Sequence, residues 1–184
     1  MRMLHRTLAT VALIGPVILF AQGKAQAPAL DDAAIVGIFD IANTWDIETG
    51  SLAAARATRK EVRDFGTTLA RDHKIVQDSG RALAVKLKVT PTPVPADFPL
   101  KAAHEAAMKK LQGLSGAAFD KAFLEHEIAY HKAVIDAVNE ALVPAIKSAE
   151  LKALVLKIAP AFAAHQLAAE QLLKGQAGNH GHSK

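Results

Sequence analysis

The chain contains no cysteine. Disulfides, thiolate zinc sites and cysteine nucleophiles are therefore excluded, and so is a lipid anchor on an N-terminal cysteine. Aromatic residues are scarce, at 5%. The 51% apolar share is carried largely by Ala, Leu and Val, and because Ala and Leu are strong helix formers the composition leans helical. A charge of one sign is also missing. Arg2, Arg6 and Lys24 are three of the 22 basic residues, and the remaining 19 face 18 acidic ones. These basic residues are scattered, so the chain carries no electrostatic footprint for nucleic acid. There is no Gly-rich phosphate loop, no G-x-S-x-G elbow and no H-E-x-x-H pair. Without a complete catalytic motif, the sequence points away from an enzyme.

No apolar run is long enough to span a bilayer core, which takes roughly 20 residues. The longest, Leu8 to Phe20, follows a positive start at Arg2, His5 and Arg6 and is interrupted by Gly15-Pro16. Small residues come next at Ala21, Gly23, Ala25 and Ala27. This is the layout of a secretory signal over residues 1–27, cleaved after Gly23, Ala25 or Ala27. A short N-terminal anchor is the alternative. The expected domains are then the signal (1–27), a helical domain (28–175) and a disordered tail (176–184). The expected location is the periplasm or cell envelope, with no integral span after cleavage and peripheral attachment left open.

The mature part reads as all-α. Apolar residues at three- and four-residue spacing predict helices over about 32–57, 60–88, 117–143 and 148–175. Their seams include Ile38, Ile41, Trp45 and Leu52; Val62, Leu69 and Val76; Leu124, Ile128 and Ile135; and Leu151, Ile158 and Phe162. Pro144 is expected to end the third helix and Pro160 to kink the fourth. Ser148 suits an N-cap. Between the second and third helices the period breaks at TPTPVPADFP, whose four prolines favour extended chain. A short helix follows, over about 100–112. The pairs of long helices are joined by tight turns, but Val89 to Gly116 is long enough to traverse a bundle. The fold expected is therefore a four-helix bundle with a ferritin-like crossover.

Each seam carries one polar residue able to bind metal. Glu48 lies within about 40° of Ile41 and Leu52 at about 100° per residue. His73 falls between Leu69 and Val76, His131 between Ile128 and Ile135, and His165 between Ile158 and Leu172. With a crossover the four sit at heights of about 14–21 Å along the bundle. Burying such groups is costly unless they are paired or coordinated. Glu48, His73, His131 and His165 are thus the candidate ligands, with Glu127 as a possible addition on the face of His131. Asp72 is a further candidate, as ligand or as partner of one. His126 is expected to be exposed, His104 has no assigned role, and His180 and His182 belong to the tail.

Imidazoles with a carboxylate suit a transition metal, zinc, iron or copper, rather than calcium or magnesium. A di-iron site would carry Glu three residues before its histidines; here those positions hold Ala70, Ile128 and Phe162. The alternative is a structural or interaction protein with a hydrogen-bonded polar core. A two-metal redox enzyme would have only Glu127 and Asp72 as spare carboxylates.

Glu48-Thr49-Gly50-Ser51-Leu52-Ala53, Arg71-Asp72-His73, Phe119-Asp120 ahead of His131, and His165 occur in an order and spacing that resembles a family of exported bacterial proteins of unknown function. Its members are grouped with ferritin-like bundles and are often labelled predicted outer-membrane proteins. The resemblance covers about 31–175. It implies a helical bundle in the cell envelope and supplies no activity. Amphipathic helices with polar outer faces do not make a transmembrane barrel, so a soluble periplasmic domain is the expectation.

Overall fold

The computed structural model describes residues 30–179, with side chains described as far as Gly175. The expected signal segment and residues 180–184 lie outside the described residues. The protein is all-helical, and among the described residues there is no strand. The helices are α1 (Asp32–Arg56), α2 (Lys60–Leu87), α3 (Pro99–Gln112), α4 (Gly116–Ala137), α5 (Val143–Ala145) and α6 (Ala149–Asn179). None of them is long and apolar enough to cross a membrane.

The directions of the long helices follow from the bonds at their ends. At one end, Asp120 at the start of α4 accepts from the backbone N–H of Thr58 (2.7 Å) and Arg59 (2.9 Å), capping α2. Arg59 also donates to the carbonyl of Leu172, late in α6 (2.9 Å). At the other end, Asp32 at the start of α1 accepts from the N–H of Lys147 (2.8 Å) and Ser148 (2.9 Å), just ahead of α6. Hence α1 and α6 run one way, and α2 and α4 the other.

The chain between α2 and α4 must then travel the length of the molecule, and it does. Thr92 N–H donates to the carbonyl of Ala33 at the start of α1 (3.0 Å). The carbonyls of Gln112 and Leu114 accept from Arg56 at its end (3.1 and 2.8 Å). The proline-rich stretch lies so close to α1 that a Cβ on Gly37 would collide with the Thr92 carbonyl. Along this route α3 covers the outer side of α1, where Trp45 stacks on His104 (5.4 Å) and Phe98 (6.3 Å).

The inward face of α1 is set by its contact with α2. A Cβ on Gly66 would come within 2.6 Å of the Gly50 carbonyl, and one on Gly50 within 2.8 Å of the Gly66 carbonyl. Only glycine lets the two backbones meet there. The interior stripe of α1 is therefore Ile35, Val36, Asn43, Asp46, Thr49, Gly50 and Ala53. Ile38, Ile41 and Leu52, read as the seam, are half-buried.

Two apolar clusters fill the two ends of the interior. One gathers Ala53, Val62, Phe65, Leu69, Phe119, Phe123 and Ala169. The other gathers Ile35, Ala84, Val138, Leu142, Leu151, Val155 and Phe162. Apart from Asp120, which caps α2 at one end, the buried polar residues of the long helices fall between these two sets: Asn43, Asp46 and Thr49; His73 and Gln77; Glu127 and His131; His165.

Two helix ends differ from the sequence expectation. Pro144 does not stop the third long helix. A π-helical turn over Val138–Leu142 closes through Val143 N–H to the Val138 carbonyl, and the chain stays helical to Ala145. The wider turn accommodates a proline that has no N–H to give and whose ring crowds the preceding turn. At the other terminus α6 runs through Gly175 to Asn179, past the expected start of the tail.

Candidate metal centre

Three of the four helix-seam candidates converge. His73 from α2, His131 from α4 and His165 from α6 each offer one ligand atom within 4.8 Å of the other two. Their rings stand 5.2–5.5 Å apart between centroids, and Phe162 stacks on His73 at 5.8 Å. A second group of the same tightness joins His131 to Asp46 from α1 and Glu127 from α4. The five residues are 0–8% exposed.

The far nitrogen of each imidazole is held by an acceptor. His73 Nδ1 meets Asn43 Oδ1 at 2.9 Å. The Asn43 amide is oriented by its own Nδ2, which donates to the Phe39 carbonyl at 2.7 Å. His131 Nδ1 meets the Glu127 carbonyl at 3.0 Å, and His165 Nε2 meets the Asp72 carboxylate at 3.3 Å. An acceptor needs a donor opposite it, so each of these nitrogens carries the proton. The other nitrogen of each ring is then a bare lone pair. His73 Nε2, His131 Nε2 and His165 Nδ1 are all buried and have no hydrogen-bond partner. Asp46 Oδ1 and both carboxyl oxygens of Glu127 are buried too, and Glu127 interacts with Thr49 and Asp46.

Burial also sets the protonation of the group. It drives His73 down to about 2, helped by the neighbouring His131 and His165, and His131 down to about 3, helped by His165. His165 is lowered by burial too, against the pull of Asp72. In the opposite sense, burial pushes Glu127 up to about 8 and lifts Asp46 well above the usual carboxylate range, with the charge of Glu127 adding to the latter. Neutral imidazoles beside carboxyl groups that hold their protons are the state such a pocket adopts without a cation.

Glu48 is not part of this gathering. Its side chain is 49% exposed on the outer side of α1, where Oε2 bonds His104 Nε2 at 2.8 Å. The reason is the rotation of α1. Its apolar stripe of Ile41, Trp45 and Leu52 faces the connector side, so the inward carboxylate is Asp46, two residues away. Asp46 was missed because it stands about 100° round the helix from Trp45, outside the stripe read as the seam. A signal was nevertheless present: Asp46 lies four residues before Gly50, whose missing side chain marks the inward face.

Of the two additional candidates, Glu127 lies inside the cluster. Asp72 stands outside it, between His165 and Arg71, whose guanidinium it meets at 2.8 Å. His126 is half-buried against Tyr130 at 5.7 Å between ring centroids, not exposed, and burial lowers it to about 4.

The fold and the cluster define a class: an all-helical protein whose interior brings together imidazoles and carboxylates able to hold a metal ion. The chain belongs to the family described as Domain of unknown function (DUF4142), whose model matches residues 19–172. No curated protein and no solved structure matches it.

Proposed function

We propose that this protein is an exported, cell-envelope, ferritin-like four-helix bundle that holds one transition-metal ion between its helices. His73, His131 and His165 would be its nitrogen ligands, and Asp46 and Glu127 its oxygen ligands. The observation that carries this reading is the set of three buried imidazole lone pairs, each fixed in its tautomer by an acceptor behind it and none offered a donor in front. Ligating histidines are held in this way, with the other ring nitrogen donating to a carboxylate, carbonyl or amide oxygen. A hydrogen-bonded structural core would satisfy both nitrogens, because a buried acceptor without a partner is costly.

A single ion is favoured over two. His131 belongs to both groups of potential ligands, and its Nδ1 is committed to the Glu127 carbonyl. Nδ1 also lies 3.5 Å from the Glu127 carboxylate, so Nε2 is the nitrogen left to an ion, and one imidazole would have to serve both groups. Mixed imidazole and carboxylate ligation suits zinc, iron or copper. Two ionised carboxylates would balance a divalent charge, which suits a site with little water. A bound ion would supply a Lewis acid that polarises a small ligand. Export rests on the positive start, short apolar run and small residues of 1–27.

The test is elemental analysis of the untagged protein purified from its own envelope, together with melting curves of the metal-free chain with added zinc, iron(II) or copper. The expected results are about one equivalent of metal per chain and a higher melting temperature. A metal-free preparation that none of the three ions stabilises would leave the hydrogen-bonded core as the better account.

A further inference from the structure

Beside the cluster lies a cavity of about 40 Å3. A water needs roughly 10–15 Å3 measured in this way, so the space suits a molecule of two or three atoms. Much of its wall is apolar, including Phe39, Ala137, Val138, Leu142 and Phe162. Val138 and Leu142 are the two ends of the π-helical turn, so that widened turn forms part of the wall.

The remaining wall includes Asn43, Asp46 and His73. Asn43 is committed through its oxygen to His73 and through its nitrogen to the Phe39 carbonyl. That leaves Asp46 Oδ1 and His73 Nε2 as the polar atoms of these three side chains without a partner. Both belong to proposed ligands of the ion, and the Asp46 carboxyl gives up its proton when it binds. Once the ion takes them, little remains to satisfy a water, which needs two to four partners. An anion would meet apolar walls and the Asp46 carboxylate, and burying it there is unfavourable.

We propose that this cavity receives a small uncharged molecule, of the dioxygen or nitric oxide class, which meets the bound ion from the Asp46–His73 side. The proposal rests on the metal reading and narrows it to a centre that handles a dissolved diatomic gas rather than an ionic substrate.

Two measurements test it, and each separates the cavity from the metal. Xenon is titrated into the metal-free chain and followed by 129Xe NMR. Saturable binding is expected in the wild type, with loss in Ala137→Phe, which fills the space; Ala42→Leu serves the same purpose should that variant not fold. The iron(II)-loaded chain is then titrated anaerobically with nitric oxide and followed by electron paramagnetic resonance. An iron–nitrosyl signal is expected, weakened at least tenfold in affinity by the filling variants, while iron still raises their melting temperature as in the wild type. Absence of xenon binding in a chain that metal does stabilise would overturn this proposal alone. Unchanged nitric oxide affinity in the filled variants would do the same. If iron(II), zinc and copper all fail to stabilise the wild type, this proposal falls together with the metal reading.

Discussion

Two histidine–carboxylate groupings sit on opposite sides of α1, and they have different chemistry. On the outer side His104 and Glu48 bond each other at 2.8 Å, with the carboxylate half in solvent. On the inner side Asp46 and Glu127 adjoin three histidines, and each of the three imidazoles keeps one buried nitrogen with no partner. His104 also keeps one buried nitrogen without a partner. Among the described residues, however, it belongs to no group of three potential ligands. Residue type therefore does not distinguish a candidate metal centre from a hydrogen-bonded histidine–carboxylate pair. The difference lies in how many buried ligand atoms gather in one dry space, where a cation that displaces the carboxyl protons can engage several of them at once.

The comparison is broken most directly by removing an inner histidine. His131→Ala should abolish the rise in melting temperature on adding metal. In the wild type that rise is expected at about 5–11 °C with metal in hundredfold excess over its Kd, the equivalent of ~2.7 kcal/mol. Differential scanning fluorimetry reads this, and a shift that survives in His131→Ala would refute the assignment. Asp46→Asn should weaken metal binding on the order of 100-fold by isothermal titration, at least the upper end of what losing an outer partner does. A Kd within threefold of wild type would return Asp46 to a purely structural role.

Gly66→Ala tests what turns Asp46 inward. Its Cβ would meet backbone of α1 at 2.6 Å, and overpacking of this kind costs about 1–3 kcal/mol. Urea denaturation should show that loss, together with weaker metal binding as the α1 ligand is displaced. Asp72→Ala removes only the acceptor behind His165, so a drop of about 10-fold in metal affinity is expected, the low end for an outer partner. Smallest of all is Glu48→Gln on the outer side. It should leave metal affinity unchanged and cost about 1 kcal/mol or less, because the carboxamide oxygen can still accept from His104. A metal defect in Glu48→Gln equal to that of Asp46→Asn would erase the distinction between the two sides.

The helices and the crossing connector were legible in the sequence because period and proline position act locally. The three histidines were legible because each interrupts an otherwise apolar seam. Asp46 was not. α1 is apolar on its outer side as well, since α3 covers Trp45 there, and a helix covered twice offers two stripes to choose between. Period alone picks the more hydrophobic one, and here the inner stripe is the polar one. The course of the chain through Pro144 was hidden for a different reason: a π-helical turn has no composition of its own. His126 was read as solvent-facing because its distance round α4 from His131 was counted, while α3 was not yet known to lie on that side.

The two aspartates that cap the tight turns have a consequence for how the molecule assembles. Asp120 of the second helix pair closes the turn of the first, and Asp32 of the first caps the turn of the second. Arg63 holds the carbonyls of the first turn and Ser148 caps α6 from within its own pair, but the four turn amides that these aspartates bind are answered only across the pairs. Each hairpin is left with bare turn amides until it docks on the other, so isolated halves have little reason to persist and docking becomes the step that commits the chain. These contacts join residues more than 60 positions apart, which belongs to slow, cooperative folding. The proposed ligands are divided between the same two hairpins, with Asp46 and His73 on one and Glu127, His131 and His165 on the other. A cation present during docking would therefore accelerate or stabilise the same event that fastens the turns.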